Sequence, residues 1–165
     1  MPLVAHWIHL LAVVAWIGGL TYIVLVAAPV VRALDPFTRA QIAPRMIRRF
    51  LTLVWTSALL LLATGLYRLL AVLHFTTSAQ WFDGGYGHTL MTKLFVYLLL
   101  AGIAGHMTFV TYPRVRVHMQ EHLVAPTPTA CTVCARLMQK ARRMMLIAWT
   151  LGVIAILLAA RLRGA

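Results

Sequence analysis

From Pro2 to Val31 the chain reads PLVAHWIHLLAVVAWIGGLTYIVLVAAPVV, thirty residues without one Asp, Glu, Lys or Arg. No other feature limits the fold as much. A bilayer core is crossed by roughly 20 apolar residues in a helix, because no water is present there to satisfy exposed backbone N–H and C=O groups. The stretch is long enough to cross with tilt. It lacks the charged start and the A-x-A cleavage site of a signal peptide and is too long for its apolar segment, so it reads as a retained span. Within it His9, Val13, Trp16, Leu20 and Ile23 follow the helical period and share one face. Gly18 and Gly19 let a neighbouring helix approach closely.

Three further apolar runs follow: Phe50 to Tyr67, bounded by Arg49 and Arg68; Leu94 to Tyr112, after Lys93; and Met144 to Ala160, between Arg143 and Arg161. Each is about long enough to cross a bilayer. The expected fold class is an all-α integral membrane protein, a single-domain four-transmembrane-helix bundle over 1–165, with helices near 3–31, 47–73, 89–112 and 141–161 and cytoplasmic loops at 32–46 and 113–140. Apolar residues make up 62% of the chain, charged residues 11%, and the mean hydropathy is +0.85, which excludes a soluble globular class. No internal repeat is evident in the sequence.

The formal charge of +12 would point to nucleic acid in a soluble protein, but here the cations sit between apolar runs, where membrane topology accounts for them. Residues 32 to 49 hold five Arg against Asp35, residues 113 to 143 hold six basic residues against Glu121, and the connection from His74 to His88 holds no Lys or Arg. By the positive-inside rule the two basic segments are cytoplasmic and both termini are periplasmic, with Arg161 and Arg163 as the outer minority. Asp35-Pro36 reads as an N-cap followed by Pro at the first helical position, and Ala43-Pro44 as a stop, giving a short surface helix whose Arg residues suit anionic lipid headgroups. Trp81, Phe82 and Tyr86 in the outer connection suit an interfacial belt. Pro126-Thr127-Pro128-Thr129 breaks the chain, and Thr129 can cap the helix that follows.

This topology gathers His6, His9, His74 and His88 at the outer side from three different helices. Arg68 and Lys93 lie near the depth of His9, ~10 Å in at 1.5 Å per residue. A cation in hydrocarbon costs several kcal/mol unless it snorkels or is paired, and no intramembrane carboxylate is available, so these two either reach the headgroups or hold a bound anion. His106, on the face of Gly102, reads equally as a packing residue or a ligand.

The run His9-Leu-Leu-Ala-Val-Val-Ala-Trp16-Ile-Gly-Gly19 resembles the opening helix of the copper-resistance protein D (CopD) family and of its relative, the HemJ-type protoporphyrinogen oxidase. Gly85-Tyr86-Gly87-His88-Thr-Leu-Met-Thr-Lys93-Leu94 is similar to the glycine-led segment with an intramembrane lysine in both, and Tyr112-Pro113-Arg114 resembles the close of that helix in CopD-like chains. The HemJ continuation after Gly19 is absent, and Val24 to Val31 stands in its place. The resemblance implies a compact bundle in the bacterial inner membrane. In the HemJ branch it implies haem b on His9 with Lys93 close by; in the CopD branch, copper handling.

The residues themselves suit haem b: His9 as one axial ligand, one of His74, His88 or His6 as the other, and Arg68 with Lys93 for the propionates. A quinol and a periplasmic cytochrome or copper protein would then be its redox partners. Copper is the alternative, through the same histidines with Met91, Met107, Met144 and Met145 as soft donors, although Met in a membrane chain also serves packing. A third alternative is a cofactor-free accessory subunit of a larger membrane complex or homo-oligomer. On the cytoplasmic side His118-x3-His122 precedes Cys131-x2-Cys134, spacings that suit a zinc site in reversed order or, more plainly, solvated His and half-buried Cys. With three acidic residues in the chain, carboxylate acid–base catalysis has almost no candidates, so any chemistry comes from a cofactor or metal.

Overall fold

The computed structural model describes residues 2–73, 85–124 and 132–161. Every described residue outside the Leu34-Asp35 corner is helical, and no strand occurs among them. The elements are α1 (Pro2–Tyr22), a π-helical turn (Ile23–Ala27), α2 (Ala28–Ala33), α3 (Pro36–Leu73), α4 (Gly85–His106), a second π-helical turn (Met107–Thr111), α5 (Tyr112–Val124) and α6 (Thr132–Arg161). Among the described residues three stretches are long and apolar enough to cross a membrane: Leu3–Ala33, Pro36–Tyr67 and Met91–Glu121. Their outward faces are apolar as well: Phe109 is 75% exposed and Leu11 64%, a surface for lipid rather than water. The molecule is therefore an all-helical membrane protein.

The helices run past the ends expected for them. Instead of looping over 32–46, the chain turns at Leu34-Asp35 and is helical again from Pro36. Most of 113–140 is helix too, in α5 and the start of α6. The Asp35 cap forms as its sequence predicts, with Oδ1 accepting the Thr38 N–H at 3.0 Å and the carbonyl accepting that of Arg39 at 2.9 Å. Arg39 then reaches back, and its Nη2 donates to the carbonyls of Arg32 and Leu34 at 2.6 and 2.7 Å, groups the ending helix leaves without partners.

The stop expected at Ala43-Pro44 does not occur, and Pro44 lies inside α3. An interior proline costs about 3 kcal/mol. Here Ala40, Ala43 and Ile47 bury one face of α3, which packs along α5 with its buried Val115 and Met119. Burying one large aliphatic side chain contributes ~1.5 to 3 kcal/mol, so packing outweighs the local penalty. The expected break at 126–129 and the Thr129 cap fall outside the described residues.

Two prolines further along helical runs, Pro29 and Pro113, are handled differently. Pro29 and Pro113 each follow a π-helical turn by one residue, Ala28 and Tyr112, whose N–H groups bond to Ile23 and Met107. A proline ring clashes with the carbonyl four residues back, which is Leu25 or Phe109, each inside the widened turn.

Contacts fix an up-down-up-down order. His9 meets Thr64 while Gly19 meets Phe50 and Leu53, so α1 and α3 are antiparallel. Tyr97 and Thr108 meet Ala58 and Trp55 on α3, and Trp149 and Gly152 meet Thr21 and Ile17 on α1.

Although no repeat is evident from the sequence, burial reveals one. With Pro29 set against Pro113, the buried residues Trp16, Leu20, Ile23, Ala27 and Val31 correspond one for one to Leu100, Ala104, Met107, Thr111 and Val115. With Trp55 set against Trp149, Ile47, Leu51, Val54 and Ala58 correspond to Ala141, Met145, Ala148 and Gly152, all buried. Arg48-Arg49-x5-Trp55-Thr56 then matches Arg142-Arg143-x5-Trp149-Thr150. The chain is thus two helical hairpins of one design. It escapes sequence inspection because the side chains differ in size: the first hairpin supplies Trp16, Leu20 and Ile47 where the second supplies Leu100, Ala104 and Ala141.

Candidate functional site

His9 stands on the face its spacing predicts, with Trp16, Leu20 and Ile23 buried and His9 and Val13 half-buried. Its Nδ1 lies 2.8 Å from Thr64 Oγ1 on α3. The Thr64 hydroxyl is 2.6 Å from the Leu60 carbonyl of its own helix, and that bond uses its one hydrogen. Donor accounting therefore assigns the shared proton to His9: Nδ1–H donates, Thr64 Oγ1 accepts, and the lone pair of a neutral ring falls on Nε2. A hydrogen bond that fixes tautomer and ring orientation is what a metal-binding imidazole needs from its surroundings.

The same device recurs twice without a histidine. The Trp55 indole N–H donates to Thr108 Oγ1 at 2.9 Å while Thr108 donates to the Ala104 carbonyl at 2.8 Å. Trp149 donates to Thr21 Oγ1 at 2.9 Å while Thr21 donates to the Ile17 carbonyl at 2.8 Å. In each case a threonine fills its helix's own carbonyl and offers its oxygen to a neighbour. Tyr97 completes the belt, donating to the Ala58 carbonyl at 3.1 Å and meeting Trp16 edge-on with centroids 6.3 Å apart.

Of the other expected ligands, His6 is half-buried near the start of α1, and His88 and Lys93 are exposed on α4. Arg68 belongs to α3, although its side chain lies outside what is described, and His74 is outside the described residues altogether. His106, half-buried, ends α4 just before the second π-helical turn. On the far side His118 pairs with Glu121 at 3.0 Å. His122 is in α5 with its side chain outside the description, Cys134 is half-buried on α6, and Cys131 is not described. Among the described residues no group of three or more His, Cys, Asp or Glu is placed to hold a metal ion.

The centre of the bundle is filled. Trp16, Leu20, Phe50, Met107 and Met145 border a cavity of about 20 Å³, room for one water-sized body and far too little for a macrocycle. Gly19 matters here, since a Cβ on it would stand 2.9 Å from Leu53 Cδ2, whereas Gly18 has nothing within 4 Å. The expected close approach is thus made by side chains of α3, and at one glycine of the two.

Sequence reasoning missed the threonines. Thr21, Thr64 and Thr108 are inconspicuous in apolar runs, and the signal that finds them is a Trp or His at the same depth on a facing helix. No protein-family model matches this chain, nor does any curated protein or solved structure.

Proposed function

We propose that the chain is a CopD-like protein of the bacterial inner membrane, crossing it four times with both termini periplasmic, and that it binds haem b toward its outer end through Nε2 of His9. The observation that carries this reading is the His9–Thr64 bond at 2.8 Å, with Thr64 committed to Leu60. On this reading the group lies beyond Trp16, toward the end where His6, His9, His88 and Lys93 belong, because the small cavity at the centre leaves no room for it there. There His9 would be the axial ligand, His6, His74 or His88 the second, and Lys93 with Arg68 the propionate partners. Bound haem exchanges single electrons, and this chain's share would be to hold the ligand ring in one tautomer, with a quinol and a periplasmic carrier as partners. The repeat favours a fourth crossing, since α6 matches α3 in its buried positions and in its Arg-Arg-x5-Trp-Thr run.

The optical spectrum of the purified protein tests this. A Soret band with α and β bands sharpened by dithionite, lost in His9→Ala and retained in His118→Ala, is the expected result. Stoichiometric copper without these bands favours the copper reading, for which Met107 and Met145 on one cavity are soft donors. With neither, His9 is a structural counterpart of Trp55 and Trp149, and the accessory reading stands.

A further inference from the structure

The repeat places arginine pairs at corresponding positions, and the structure surrounds them with an apolar–polar boundary. Arg48-Arg49 and Arg142-Arg143 are all exposed. On the side of Trp55 and Trp149 the exposed residues of these helices are uncharged, Thr52, Thr56 and Thr150 among apolar ones, with Leu59 and Ile147 more than half exposed. On the other side Arg45, Arg136, Gln139 and Lys140 are exposed. The third arginine of each set comes from the opposite hairpin: α3 packs on α5, which carries exposed Arg116, and α6 packs on the π-helical turn that runs into α2 and exposed Arg32. Arg32 and Arg116 correspond under the Pro29–Pro113 alignment. Among the described residues the one ion pair is His118–Glu121, so no described carboxylate is paired with these cations.

We infer that the bundle has two equivalent sites for the phosphate of an anionic phospholipid, one served by Arg48, Arg49 and Arg116 and the other by Arg142, Arg143 and Arg32. Guanidinium forks match phosphate oxygens two by two, and at the headgroup level the phosphate is the nearest abundant anion. The hairpin-swapped composition follows from the repeat: each site needs both hairpins, so a phospholipid there bridges them at the boundary where the apolar runs end. The inference rests on all four helices crossing the membrane, which terminal reporters test separately.

Native mass spectrometry of the full chain, released from micelles containing phosphatidylglycerol or phosphatidylcholine, gives the test. Two retained phosphatidylglycerols are expected, with at least tenfold lower retention of phosphatidylcholine. R48Q/R49Q and R142Q/R143Q should each retain one, and the lysine versions of both should keep a part. Unchanged retention in both glutamine variants, loss in one alone, or equal retention of phosphatidylcholine overturns the proposal. Displacement by millimolar inorganic phosphate identifies a free-phosphate site and overturns it too. Unchanged thermal melts of the variants separate loss of lipid from loss of fold.

Discussion

Trp149 of α6 donates its indole N–H to Thr21 of α1 at 2.9 Å, and Trp55, its counterpart in the first hairpin, donates to Thr108 of α4 at the same distance. Each hairpin thus offers a tryptophan to the other and receives one. The two acceptors differ by one helical turn in the aligned register, a shift the repeat tolerates because both threonines lie on the same face.

Reciprocity makes the two bonds comparable in strength. Thr21→Val keeps the shape and leaves the indole N–H without its acceptor, at a cost of ~1 to 3 kcal/mol, or nearer ~0.6 if the membrane average applies. Thr108→Val should cost about as much. Thermal unfolding in detergent reads this as a fall of roughly 2 to 4 °C per kcal/mol. A large effect at one threonine and none at the other contradicts the reciprocal design.

The adjacent glycines should answer differently. Gly18→Ala meets nothing within 4 Å and replaces a poor helix former, which should stabilise by about 0.5 to 1 kcal/mol. Gly19→Ala meets Leu53 Cδ2, the far end of an exposed side chain that must turn aside, so part of that gain is lost and the net change should be smaller than at Gly18 or slightly destabilising. The pair of melts decides it, and equal shifts of the same sign count against the packing described here.

Hydrogen bonds from the Thr38 hydroxyl and N–H hold the Asp35 carboxyl below its ordinary value, and both favour the charged form. Since the folded value is the lower one, the contribution is complete above the ordinary carboxylate value of ~3.9 and fades as the pH falls through the folded value. Asp35→Asn, which keeps a capping oxygen, should therefore lose less stability than the native chain as the pH falls below that ordinary carboxylate value. Identical acid profiles by circular dichroism would remove Asp35 from the account.

Lys93 is exposed, so Lys93→Met should leave the fold intact. If Lys93 partners a propionate, haem occupancy should nevertheless fall by orders of magnitude, because stranding a buried charge costs ~3 to 5 kcal/mol and each 1.4 kcal/mol is about tenfold. Lys93→Arg should retain part of it. Full occupancy in Lys93→Met assigns the lysine to the headgroups.

Reporters active only in the periplasm, fused to each terminus in turn, should both be active. Activity at neither end reverses or breaks the proposed topology, and activity at one end shows an odd number of crossings.

The helical class, the Asp35 cap and the buried face of α1 were legible because each follows from a local pattern: uncharged length, a capping residue before proline, and a 3.6-residue period. The run of α3 through Pro44 was not legible, because the local cost of proline is visible in sequence while the offset comes from Val115 and Met119 on a helix some seventy residues away. The repeat stayed hidden for a related reason. Burial is conserved between the hairpins at positions where size is not, so Leu20 and Ala104 look unrelated until both prove buried. At the site, periodicity singled out His9, but its partner Thr64 is an ordinary threonine until the antiparallel register brings it across.

The unequal sizes at equivalent positions carry a consequence for how the chain can be rearranged. A chain built from two first hairpins would set Trp16 against a second Trp16, and overpacking costs ~1 to 3 kcal/mol at each such place. Two second hairpins would oppose Ala104 to Ala104 and leave voids, at ~24 cal/mol per Å³. Reversing the order of the hairpins while keeping both should preserve every pairing, because α1 begins and α6 finishes at the same end of the bundle. The two halves are complementary, so their order along the chain is exchangeable and their composition is not.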